Sequence, residues 1–209
     1  MKKHKMTKRL ILALGIIGLS VTGGRADSVN EKEITYADPT IYVENGKYYL
    51  TGTRNQEPQG FAILESTDLE HWTVPDGTSL QLILRKGDQT YGEKGFWAPQ
   101  YFKDKRTYYF TYTANEQTVI ASSKSVFGPF RQKEVKPIDA SAKNIDSFLF
   151  KDDDGKYYLY HVRFNKGNYL WVAEFDIKKG SIKPETLKQC MDCTEPWEKT
   201  PNYKSAPVM

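Results

Sequence analysis

The sequence has 209 residues, 39% of them hydrophobic and 13% aromatic, with 30 Lys and Arg against 26 Asp and Glu. Six of the basic residues and none of the acidic ones fall in the first 26 positions, so residues 27–209 carry 24 basic against 26 acidic residues, a net of −2. That balance excludes a chain built chiefly to bind nucleic acid, and the length after position 26 suffices for one domain with its own core.

Residues 1–26 have the pattern of a secretory signal peptide. Lys2, Lys3, Lys5, Lys8 and Arg9 form a basic start, Leu10 to Val21 an apolar run, and Gly24-Arg25-Ala26 a small-residue cleavage site. The apolar run is too short to span ~30 Å of hydrocarbon comfortably. The expected product is residues 27–209, secreted or periplasmic, with no membrane association after cleavage.

Beyond the signal, short runs rich in Tyr, Phe, Val, Ile and Thr alternate with Gly, Asn, Asp and Pro clusters, and no long helical period appears. The runs predict strands at 40–43, 47–51, 60–66, 83–86, 100–103, 108–113, 118–122, 148–151, 157–162 and 170–175. Asn45-Gly46 and Asp154-Gly155 predict tight hairpin turns, because these residues tolerate positive φ.

One phrase recurs. It begins at Asp38 with Pro-Thr-Ile-Tyr and ends at Tyr48-Tyr49-Leu50. It returns from Ala98-Pro99 to Tyr108-Tyr109-Phe110, and from Asp146-Ser147 to Tyr157-Tyr158-Leu159. The starts lie 60 and 48 residues apart, and periods near ~50 residues are typical of propeller blades. The expected fold class is all-β, with about three blades of a β-propeller. Aromatics such as Tyr49, Tyr109 and Tyr158 are expected to pack between blades.

A propeller aims the innermost strand of every blade at one axis. Asp38 and Asp146 hold equivalent repeat positions, so they are expected to converge on one pocket. Cys190 and Cys193 sit in a Lys-, Asp- and Pro-rich stretch, read as a loop disulfide or two idle thiols.

Ala37-Asp38-Pro39, Tyr48-Tyr49-Leu50, Ser66-Thr-Asp-Leu-Glu-His-Trp72, Trp97-Ala98-Pro99, Phe127-Gly-Pro-Phe130 and Ile145-Asp146 occur in this order, and the set resembles glycoside hydrolase family 43 over residues 36 to about 200. The resemblance implies a five-bladed propeller that cleaves arabinose-, xylose- and sometimes galactose-containing glycans with inversion. It implies Asp38 as general base and Asp146 as the aspartate that tunes and orients a general acid Glu. Inverting hydrolysis needs a base and a protonated acid ~6.5–9.5 Å apart, and a further carboxylate near the acid raises its pKa.

Trp97 is expected near the pocket rim, where an indole offers a flat face to a sugar, or else between blades. Phe61 is a weaker candidate of the same kind. Arg163 is read either as hydrogen-bonding sugar hydroxyls or as holding a carboxylate. Family relatives can hold a structural calcium on the axis, but no ligand cluster here points to one, and no other cofactor is implied. The expected state is a monomer whose partner is an oligosaccharide or polysaccharide.

The family's acid lies in a Glu-Gly-Pro motif, and no Glu-Gly-Pro occurs here; Glu195-Pro196 lacks the glycine. The sequence ends at Lys204 to Met209, about where that motif is due, so the chain is expected to be inactive by itself. A non-catalytic sugar-binding propeller is the competing expectation.

Overall fold

The computed structural model describes residues 34–75, 77–164, 167–191 and 194–198. The expected signal peptide, Cys193 and Lys204–Met209 lie outside the described residues. Every strand expected from the sequence is present. They are β1 (Ala37–Glu44), β2 (Lys47–Thr53), β3 (Gly60–Ala62), β4 (Leu64–Ser66), β5 (Leu82–Arg85), β6 (Trp97–Asp104), β7 (Thr107–Ala114), β8 (Gln117–Ser123), β9 (Asn144–Lys151), β10 (Tyr157–Phe164) and β11 (Asn168–Asp176). Two short strands, β12 (Ser181–Ile182) and β13 (Lys188–Met191), were not foreseen.

The strands form three blades of a β-propeller. Blade 1 is β1-β2-β4, blade 2 is β6-β7-β8, and blade 3 is β9-β10-β11 with β12 and β13 pairing β11. Single bridges, Glu65 to Thr73 and Ser122 to Arg131, mark the outer edges of blades 1 and 2. The expected strand over 60–66 is split: β4 pairs β2, whereas β3 turns to pair β5. Gly60 permits this contact, since a Cβ there would lie 2.1 Å from the Leu84 carbonyl oxygen.

Asn45 and Gly46 both have positive φ, as the two-residue hairpin between β1 and β2 requires. The turn after β9 is longer than expected. Asp152 closes it, its N–H donating to the Lys156 carbonyl and its own carbonyl accepting the Gly155 N–H, and within the turn only Gly155 takes positive φ.

Aromatic packing joins the blades. Phe61, Phe96, Phe110, Tyr112 and Phe130 are buried in the cluster between blades 1 and 2, each contributing about 1.5–3 kcal/mol by burial. Leu149, Leu159 and Phe175 pack against Phe102 and Ile120 between blades 2 and 3.

A repeated polar clasp accompanies this packing. Glu44 at the end of β1 accepts from Lys103 and from the Tyr108 hydroxyl in the next blade. Asp104 at the end of β6 likewise accepts from Lys151 and is hydrogen-bonded by Tyr157. The ammonium groups lie 4.6 and 5.2 Å from the centroids of those tyrosine rings. The first tyrosine of the recurring pair is thus a clasp as well as a packing residue.

Candidate active site

The three innermost strands share a defect at one register position. Between Ala37 and Thr40, β1 holds one residue more than β2 opposite it; the same holds in β6 between Trp97 and Gln100, and in β9 between Ile145 and Phe148. The first bulged residue is Asp38, Ala98 or Asp146, with φ of 47°, 45° and 51°. None is glycine, and Ala98 has no local hydrogen-bonding side chain to ease the left-handed conformation. Bulges re-aim side chains, and non-glycine residues held in this region are often tied to function.

Threonines fasten these bulges from the preceding blade. Thr53 ends β2 and accepts the Ala98 N–H at 2.8 Å; Thr113 in β7 accepts the Asp146 N–H at 3.1 Å. Thr53 also donates to Asp38 Oδ2 at 2.7 Å. The sequence reading passed over both threonines. Their signal was present: Tyr48-Tyr-Leu-Thr-Gly-Thr53 and Tyr108-Tyr-Phe-Thr-Tyr-Thr113 repeat the same spacing.

Strand β1 lies beside β6, and β6 beside β9, so Asp38 and Asp146 flank the methyl-sized side chain of Ala98. Asp38 is exposed and Asp146 half-buried. Burial first, and the negative charge of Asp38 second, push the Asp146 carboxyl above its ordinary value. The two acids therefore share one electrostatic field, with one more protonated than a free aspartate.

Trp97 opens β6 one residue before the Ala98 bulge, and 39% of it is exposed. Its indole rests on Gly95, whose absent Cβ would come within 3.0 Å of the ring.

Two other residues lie elsewhere. Phe61 is fully buried, its ring against Phe96, Phe110 and Tyr112, because β3 runs through the core; it has no face to offer a sugar. Arg163 is paired with buried Asp139, donates to Ser141 Oγ at 3.0 Å, and lies over Trp171 at 5.6 Å. Its guanidinium holds a carboxylate, the second of the two readings. Glu195 follows β13, which lies three strands out from β9.

The Ser66-to-Trp72 stretch is a turn. Ser66 Oγ accepts from the Asp68 and Leu69 amides, and Asp68 accepts from those of Glu70 and His71. These bonds are local, so the motif serves the fold of the turn. Among the described residues, no three His, Cys, Asp or Glu side chains are grouped to hold a metal ion.

Blades 1 and 3 thus bring Asp38 and Asp146 to equivalent bulges of one β-propeller, near enough for the charge of one to act on the other. The sequence profile of "Glycosyl hydrolases family 43" matches residues 32–209, and the chain belongs to that family. It is 28% identical over 202 residues to the extracellular endo-alpha-(1->5)-L-arabinanase 1 of Bacillus subtilis, covering 88% of this chain and 61% of that protein.

Among solved structures, it resembles an endo-1,4-beta-xylanase from Bacteroides thetaiotaomicron, with 41% identity and a TM-score of 0.70 over 78% of this chain and 55% of that one. A thermostable family-43 glycoside hydrolase gives 28% identity and a TM-score of 0.66 over the same shares. These neighbours are five-bladed propellers, and the chain spans little more than half their length.

Proposed function

We propose that the protein is a secreted, inverting glycoside hydrolase acting on arabinose- or xylose-containing polysaccharides or oligosaccharides. Asp38 is its general base, open to water, with Thr53 fixing the carboxylate. Asp146 tunes and orients a general acid, and its raised affinity for a proton suits it to sit near another carboxyl group. Trp97 offers the sugar an apolar face at the rim.

The observation that carries this reading is the placement of both aspartates at the same left-handed bulge of β1 and β9, within each other's field. No Glu-Gly-Pro occurs in the 209 residues, and loss of a general acid costs ~10²–10⁴-fold. The chain by itself is therefore expected to turn over aryl arabinofuranosides and xylosides far below ordinary rates. A propeller that binds sugar without cleaving it is the second reading.

The test is an arabinan and xylan hydrolysis assay with the anomer of the first product read by NMR, on this chain and on a version continued with the last two blades of a family-43 relative. Inverted product from the continued version, lost in Asp38→Asn with sugar binding kept, supports hydrolysis. Retained configuration, or full rate in Asp38→Asn, contradicts the assignment of Asp38. Sugar binding with no cleavage in either version supports the second reading.

A further inference from the structure

One cleft lies away from the paired aspartates. It has a volume of about 660 Å³ and lies between the outer parts of blades 2 and 3, and no lining residue belongs to the Asp38, Thr53, Ala98, Thr113 and Asp146 group. That volume falls in the range of ligand pockets.

Its floor is apolar and aromatic, formed by Tyr109, Ile120 and Ile177. Its walls carry Arg131, Lys133, Lys136, Lys178 and Lys179 against one acid, Glu134. A local balance of +4 stands out in a chain whose residues 27–209 sum to −2. Lys136 is paired with Glu134 and Lys179 with Asp176. Arg131, Lys133 and Lys178 form no ion pair among the described residues.

Both walls are fixed before any ligand arrives. Buried Gln132 accepts the Tyr91 amide at 2.6 Å and donates to the Lys136 carbonyl at 2.7 Å, pinning the 131–136 segment. Across the cleft, Asp176 accepts the Lys178 and Lys179 amides, each at 3.0 Å. Gly180 closes that turn at φ 65°, where a Cβ would sit 3.2 Å from Ile120. Little backbone ordering is left to oppose binding.

We propose that this cleft is a second glycan-binding site, for an acidic oligosaccharide bearing uronate carboxylates. The apolar floor takes the face of a sugar ring, and the three unpaired cations take carboxylates through charge-assisted hydrogen bonds. The assignment rests on the reading of the protein as glycan-active. Its test reads binding without turnover, so failure here is distinct from failure of the Asp38 assignment.

The experiment is calorimetric titration of the chain with hexagalacturonate, neutral arabinohexaose and sodium sulfate at two salt concentrations. Hexagalacturonate is expected to bind best, and about tenfold or more weaker in Lys133→Glu/Lys178→Glu, with a smaller salt dependence. Arg131→Gln is a milder second variant with the same expected direction, and Tyr109→Leu is expected to weaken hexagalacturonate but not sulfate. Equal binding of neutral and acidic sugar, or no loss in the charge variants with their circular dichroism unchanged, overturns the proposal. So does sulfate binding as tightly as hexagalacturonate with Tyr109→Leu silent, which reduces the cleft to an anion patch.

Discussion

Thr53 Oγ1 donates to Asp38 Oδ2 at 2.7 Å and itself accepts the Ala98 N–H at 2.8 Å. One hydroxyl therefore orients the carboxylate of blade 1 and fastens the bulge of blade 2. Removing it leaves the Ala98 N–H without its acceptor and Asp38 without its donor.

Thr53→Val is nearly isosteric and is expected to destabilise the fold by about 1–3 kcal/mol, the cost of orphaned polar groups. Thr53→Ser keeps the hydroxyl and loses one buried methyl, and is expected to cost about 0.8 kcal/mol. Urea denaturation measures both, and amide exchange at Ala98 localises the effect. Exchange there is expected to quicken in the valine variant and to stay slow in the serine variant.

Arg163 ties β10 to the segment leading into β9. Its partner Asp139 is buried, with 7% of the side chain exposed. Breaking a buried pair by removing one member strands the other charge, at about 3–5 kcal/mol. Arg163→Ala is expected to lose that much in chemical denaturation, while folded protein retains its affinity for neutral sugar. Lost sugar affinity with unchanged stability contradicts the structural assignment of this arginine.

Much of this was legible in the sequence, for physical reasons. The Tyr-Tyr pairs and the Asn45-Gly46 turn fixed strand positions because alternation and positive-φ residues are local signals. The equivalence of Asp38 and Asp146 followed from the recurring phrase that each of them opens. Strands β12 and β13 went unseen because they are two and four residues long and rely on β11 for their definition. The destination of Phe61 was hidden because β3 leaves its own blade to pair β5, a tertiary choice with no local mark. Arg163 was ambiguous because its partner Asp139 lies 24 residues away.

The raised pKa of Asp146 has a consequence for stability. A carboxyl whose folded value exceeds its unfolded one binds its proton more tightly in the native state. It favours the fold at pH below the ordinary aspartate value near ~4, and that contribution is lost as pH rises through the raised folded value. Asn does not titrate. Asp146→Asn is thus expected to melt like the parent in acid and at a higher temperature near neutral pH, as when a functional group is held at a cost to stability. Melting curves across this range check the sign; a variant less stable than the parent only at neutral pH contradicts it.

The central claim is that Asp38 and Asp146, 108 positions apart in sequence, act on each other in one pocket. Carbon-13 NMR titration of the Asp146 side-chain carboxyl, in the parent and in Asp38→Asn, tests it without any need for turnover. The account predicts an Asp146 pKa above the ordinary aspartate value in the parent, and a lower one once the charge of Asp38 is removed. An Asp146 that titrates at the ordinary value, or that does not respond to Asp38→Asn, would contradict the paired site.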